Sequence, residues 1–151
     1  MKNIFQIDGG IGKSVAATAV CQAINSQYPD DELIVITGYP EVFLCIPGIK
    51  VYNFNDMRYF YEQFIEGKDY RIMAHNPYLE TAFVRGDTHV IKVWCDMFGI
   101  NYNGELPKLH VTDREFNFYS NEFYSQKPLM VVQTSGGPKN QANQGVISKE
   151  V

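Results

Sequence analysis

An open, Rossmann-like parallel α/β sheet with helices on both faces is the fold class this sequence predicts, and three observations predict it. Short apolar runs recur at Ile4–Ile7, Leu33–Ile36, Lys50–Phe54 and Tyr70–Ala74, each the length of a strand and too short for a helix. Between them lie stretches with apolar residues at helical spacing, the alternation that builds βαβ units. The first run ends in Asp8-Gly9-Gly10-Ile11-Gly12-Lys13-Ser14, a glycine-rich stretch ahead of a helix-compatible run. In such sheets ligands collect at the carboxyl ends of the strands, so the loops after the strands are where function is sought.

Taken in order, Ser14 is expected to cap a helix running to about Gln27, with Val15, Ala19, Val20, Ala23 and Ile24 near helical spacing. Tyr28-Pro29-Asp30-Asp31 turns the chain into the aliphatic, β-branched run Leu33–Ile36, which reads as a central parallel strand. Gly38-Tyr39-Pro40 breaks it, and Glu41 to Cys45 suits a short helical turn. After the third strand, Asp56 is expected to cap a helix to about Glu66 with Met57, Phe60, Tyr61 and Phe64 on one face, ended by Gly67. The fourth strand leads into the loop His75-Asn76-Pro77-Tyr78. A short helix over Leu79–Val84 follows, then one from His89 to Phe98 with Val90, Val93, Trp94 and Met97 as its stripe. Thr112-Asp113-Arg114-Glu115 is a capping box opening a helix to about Tyr124. Leu129–Gln133 reads as another strand, Thr134–Pro138 as a second glycine-rich turn, and Lys139–Val151 as a polar, aperiodic tail.

The bulk numbers bound the function. The 151 residues suit one domain with a sizeable core, and 45% hydrophobic with 20% charged residues is a globular composition. A net charge of −4 speaks against a dedicated nucleic-acid binder. No apolar run approaches the roughly 20 residues of a membrane span. Lys2 is not followed by the apolar stretch of a secretory signal, and a cytoplasmic location is expected. Cys21, Cys45 and Cys95 are widely spaced and odd in number, which fits reduced thiols; no two of His75, His89 and His110 have metal-ligand spacing, and no metal site is expected. The many aromatics are expected in the core.

The glycine-rich turn carries the chemistry. Gly9, Gly10 and Gly12 let backbone approach a ligand, and the first helical turn, with Lys13 and Ser14, favours an anion. The stretch ends in Gly-Lys-Ser as a P-loop does, but Ile7 stands where the full pattern has its first glycine. It looks more like the deviant P-loop of the partition and septum-positioning ATPases, except that Asp8 replaces their signature lysine, and Thr37-Gly38 and His75-Asn76 bring no acidic residue to the later strand ends. Asp8 is either a general base or a turn residue pinning loop amides. His75 is placed for a sugar hydroxyl, for proton transfer, or for a loop hydrogen bond.

A second likeness covers nearly the whole chain. Gly12–Val20, Ala23-Ile24, Tyr28-Pro29-Asp30, Glu32–Gly38, Ile46–Tyr52, Asp69-Tyr70, Trp94, Phe98-Gly99-Ile100, Pro107–Glu115 and Lys127–Thr134 together resemble the N-terminal half of the heptosyltransferase-like glycosyltransferases (family 9). The resemblance implies a GT-B fold, two Rossmann-like domains with the active site between them. It implies an acceptor-type domain over 1–126 and, over 127–151, the start of a truncated second domain or an extended tail. It further implies inverting, metal-independent transfer from a nucleotide-sugar co-substrate, with no resident cofactor, to a sugar, glycan or lipid-linked acceptor. A chain lacking the donor half would be inactive alone. The family's base aligns with Lys13, which either steadies an anion or occupies the place of an absent base, leaving Asp8 as the substitute. Beside this stand the NTPase reading and that of a non-catalytic Rossmann-like binding or assembly module, for which self-association into a homo-oligomer is expected.

Overall fold

The computed structural model describes residues 1–44 and 46–123. The predicted strand Leu129–Gln133, the turn Thr134–Pro138, the polar tail and Cys45 lie outside the described residues. Four strands, β1 (Lys2–Ile7), β2 (Glu32–Thr37), β3 (Ile49–Asn53) and β4 (Tyr70–Met73), form an all-parallel sheet in the order β3-β2-β1-β4. The chain steps outward from β1 to β2 to β3, then crosses back to place β4 on the far side of β1. The loops leaving β1 and β4 therefore diverge, which makes their carboxyl ends the switch point of the sheet.

Strand alternation sends side chains to two faces. Phe5, Ile7, Leu33, Val35 and Met73 enter one core with α1 (Ile11–Gln27) and α3 (Val90–Met97); between β4 and α3 lies the short α2 (Thr81–Val84). The α3 stripe follows the expected spacing: Val90, Ile91, Val93 and Trp94 are buried, and the Trp94 ring meets Phe5 edge-on at 5.1 Å. Cys21 and Cys95 are buried here, and burial pushes the Cys95 thiol up to about 12 and raises that of Cys21 as well. Ile4, Ile34 and Ile36 face the other way, onto a smaller cluster around Phe64.

That second cover departs from the predicted helix. Phe54–Asp56 is a 3-10 turn capped by Asn53, not by Asp56: the Asn53 side chain accepts from the Asn55 N–H at 3.0 Å. Tyr59 sits at φ 63 and breaks the helical path, and Tyr61–Ile65 forms a single π-helical stretch. Met57, Phe60 and Phe64 pack inward as expected, but Tyr61 is 60% exposed. Widening the turn keeps Phe60 against Phe64, ring centroids 5.2 Å apart, while carrying Tyr61 out of the contact face.

At the amino ends of the strands, Glu32 accepts from Lys2 at 2.7 Å and pairs with Lys50 at 2.6 Å, tying β1, β2 and β3 together. Lys2 first and Lys50 second hold the Glu32 carboxyl below the ordinary carboxylate range. After α3 the chain straps back along α1. Gln27 Nε2 donates to the Gly99 carbonyl (3.0 Å) and Gln27 Oε1 accepts from Asn101 N (2.7 Å). Gln22 donates to Leu106 O (3.0 Å), and Thr18 Oγ1 accepts from Lys108 N (2.9 Å). Met1–His110 is one compact unit; a second begins at Val111 and contains α4 (Asp113–Phe123). The capping box ahead of α4 is formed: Glu115 Oε2 accepts from Thr112 N at 2.8 Å, and Thr112 Oγ1 accepts from Glu115 N at 3.3 Å. Among the described residues no helix is long and apolar enough to cross a membrane.

Candidate functional site

The turn after β1 is shorter than its sequence suggests. The helix begins at Ile11, and the N-cap is Gly10 rather than Ser14. Gly10 is extended (φ −85, ψ 169), and its carbonyl accepts from Lys13 N at 3.0 Å and Ser14 N at 3.4 Å, so Gly12, Lys13 and Ser14 are already inside the first turn. No side chain caps this end, which leaves the Ile11 and Gly12 N–H groups facing outward without an intrahelical partner.

The three glycines do different things. Gly9 sits at φ +88, which is what requires glycine there; a Cβ would meet the Lys13 stem at 3.4 Å, an ordinary contact. Gly10 and Gly12 are under no such constraint: neither has a positive φ, and a Cβ on either would meet nothing within 4 Å. A glycine inside a helix costs about 0.5–1 kcal/mol relative to alanine. Among the described residues a Cβ at Gly12 would meet nothing within 4 Å, so what glycine leaves there is bare backbone with open space above it.

Lys13 and Ser14 turn inward. The Lys13 ammonium is paired with the Asp8 carboxylate, and lies 5.5 Å from the centre of the Trp94 ring and 5.9 Å from that of Tyr78. Lys13 is 8% exposed, whereas the Asp8 side chain is 65% exposed. The ammonium thus has a carboxylate on one side and two aromatic faces on the others, an arrangement that holds a cation in place. The Ser14 hydroxyl is buried and shares a 3.2 Å hydrogen bond with Thr37 Oγ1, at the end of β2; Thr37 in turn accepts from Tyr39 N at 3.2 Å.

Across the switch point stands the loop after β4. His75 is exposed, its ring 6.3 Å from that of Phe98. Asn76 caps the 3-10 turn Pro77–Leu79, its side chain accepting from Tyr78 N at 3.3 Å. Tyr78 is 37% exposed and meets Phe83 edge-on at 4.9 Å. The structure therefore brings Asp8, Lys13 and the glycines into one turn, and sets His75 on the loop that leaves the neighbouring strand. His89 caps α3, its Nδ1 accepting from Ile91 N at 3.3 Å.

Trp94 and Thr37 are contributors that sequence reasoning missed, while Tyr78 ends the loop after the fourth strand, where the sequence places function but gives this residue no role. Trp94 falls on a stripe that reads as core, and it is core; nothing in helical spacing says that its ring also backs a lysine on another helix. Its indole N–H is fully buried with no hydrogen-bond partner among the described residues. Among the described residues, a surface hollow of about 270 Å³ in the first unit is lined by Glu80, Ala82, Val93, Asp96 and Met97, and within the second unit one of about 630 Å³ is lined by Thr112, Arg114, Glu115 and Phe118. Among the described residues no group of three or more His, Cys, Asp or Glu side chains is placed to hold a metal ion.

The class that fold and site define is an α/β protein with a parallel sheet and a glycine-rich turn at its switch point. Comparison with family models, characterised proteins and solved structures finds no match in any of the three.

Proposed function

We propose that Met1–His110 is the acceptor-binding part of a GT-B glycosyltransferase of the heptosyltransferase-like class that the sequence resembles. The observation that carries this reading is the bare turn at the switch point. Gly10 and Gly12 lack a Cβ that the fold has room for, so their backbone is left for a ligand to approach. The two groups that a P-loop directs at phosphate and magnesium, the lysine ammonium and the serine hydroxyl, are here engaged by Asp8 and Thr37. The strands flanking β1 end in Thr37 and in Met73, the latter followed by Ala74-His75, without the carboxylate that an NTPase places there.

In this reading the exposed Asp8 carboxylate takes the proton of the acceptor hydroxyl as its oxygen attacks the anomeric carbon of the donor, with inversion and loss of the nucleoside diphosphate. Lys13 orients that carboxylate, and His75 hydrogen-bonds a sugar hydroxyl from the opposite lip. The nucleotide sugar is held by a second domain. Titration calorimetry with ATP and magnesium tests the reading: no micromolar binding is expected, and micromolar binding abolished by Lys13→Ala would replace it with the NTPase. A second reading, an assembly module, draws on β4, whose Tyr70 and Ile72 are 42% and 50% exposed. It predicts a mass that rises with concentration in sedimentation, lowered by Ile72→Lys.

A further inference from the structure

Resting on the acceptor reading above, we propose that Tyr78 is the platform on which a pyranose ring of the acceptor stacks, with the exposed Asp8 carboxylate, held in place by Lys13, accepting from hydroxyls at the ring's edge. A pyranose has an apolar face of C–H groups and a rim of hydroxyls. It is recognised by a rigid aromatic face beside groups that donate and accept hydrogen bonds. Tyr78 supplies the first requirement. It is partly open to solvent, at 37%, yet its position is fixed from three sides. The Phe83 ring meets it at 83° and 4.9 Å, the buried Pro77 precedes it, and the Asn76 side chain accepts its backbone N–H. A ring already held in place loses little freedom when a ligand packs on it.

The second requirement lies alongside. The Lys13 ammonium is 5.9 Å from the Tyr78 centroid, with Asp8 bound to it and 65% exposed. Trp94 backs the ammonium from below at 5.5 Å, so ring, cation and ring form a layered stack at the rim. Ile11, 54% exposed in the first turn of α1, adds apolar surface beside the bare Gly10 and Gly12. Covering Lys13 also uses the aromatic face of Tyr78, so what distinguishes the proposal from a packing role is direct contact with the ligand: saturable pyranoside-induced shifts of the Tyr78 ring signals are expected, and their absence overturns the platform.

Amide-resolved NMR titration of the full chain with methyl pyranosides tests it, with mannitol as the acyclic polyol control. Trp94 is the sole tryptophan, so its indole N–H gives one assigned signal in the layer below Lys13. Wild type is expected to show saturable shifts at Ile11, Gly12 and Trp94 with pyranosides and not with mannitol. Tyr78→Phe is expected to bind within about twofold of wild type, and Tyr78→Leu and Tyr78→Gln about tenfold more weakly, the worth of one good aromatic contact. Wild-type binding by the Leu and Gln variants, a tenfold loss in the Phe variant, or an equal response to mannitol overturns the platform. If the Leu and Gln variants bind normally while Asp8→Asn does not, Tyr78 is excluded and the acceptor site stands. If no pyranoside moves these signals, both readings fall.

Discussion

The two faces of the sheet are covered in different ways, and the difference separates what holds the fold from what shapes its rim. One face lies under α1 and α3, regular helices that together bury Phe5, Leu33, Val35, Trp94 and Cys95. The other lies under a 3-10 turn, a residue with positive φ and a π-helical stretch, with Phe64 as the buried aromatic of its cluster among the described residues. The thick face supplies the rigid backing for Lys13 through Trp94. The thin face closes the crossover that carries the chain from β3 to β4, and so decides where the His75–Tyr78 loop emerges.

Truncations break this comparison most directly. Phe5→Ala removes a fully buried ring that packs edge-on against both Trp94 (5.1 Å) and Phe98 (5.9 Å), and urea unfolding is expected to show a loss of about 3–5 kcal/mol. Phe64→Ala deletes the same atoms from the thin face, where irregular backbone collapses more readily into the space. A smaller loss of about 2 kcal/mol is expected. Equal losses would mean that the two covers contribute alike.

A third variant sharpens the comparison along the amino edge. The Glu32 carboxyl is held below its ordinary range by Lys2 and Lys50, so the folded state binds its proton less readily than the unfolded chain. That stability is fully present above the ordinary glutamate value of about 4.3 and is lost as pH falls through the lower folded value. Glu32→Gln is expected to flatten the acid limb of a stability–pH profile and, because Glu32 also raises the Lys50 ammonium, to flatten the alkaline limb as well, leaving the neutral range unchanged in slope. The pair is exposed enough that its effect is smaller than either truncation.

The sheet was legible because each strand is a short apolar run bounded by turn residues, and a parallel sheet needs little more. The capping box at Thr112–Glu115 was legible for the same reason, since its four residues contain the whole mechanism. The start of α1 was not. Glycines at positions 10 and 12 read as loop by propensity, yet Gly10 caps and Gly12 is helical, because burying Ser14 against Thr37 and seating Lys13 on Asp8 requires the helix to begin early. The irregular cover over 54–65 was illegible because Met57, Phe60, Tyr61 and Phe64 fit a helical face, and only the reach from β3 across to β4 shows that Tyr61 has to leave it. In the site, Asp8, Lys13 and His75 were read from strand ends. Tyr78 and Trp94 needed the packing of α3 against α1.

Gly12 offers the most direct test of a ligand surface at the switch point, because fold and site ask opposite things of it. Gly12→Ala adds a Cβ that meets nothing within 4 Å and improves helix propensity. Its thermal midpoint is expected to rise, by the equivalent of about 0.5–1 kcal/mol. The same methyl intrudes on the space above the turn, so the pyranoside-induced shifts at Ile11 and Trp94 are expected to vanish in the same sample. A stabilised variant that still binds pyranosides as wild type does would contradict a ligand site at this turn.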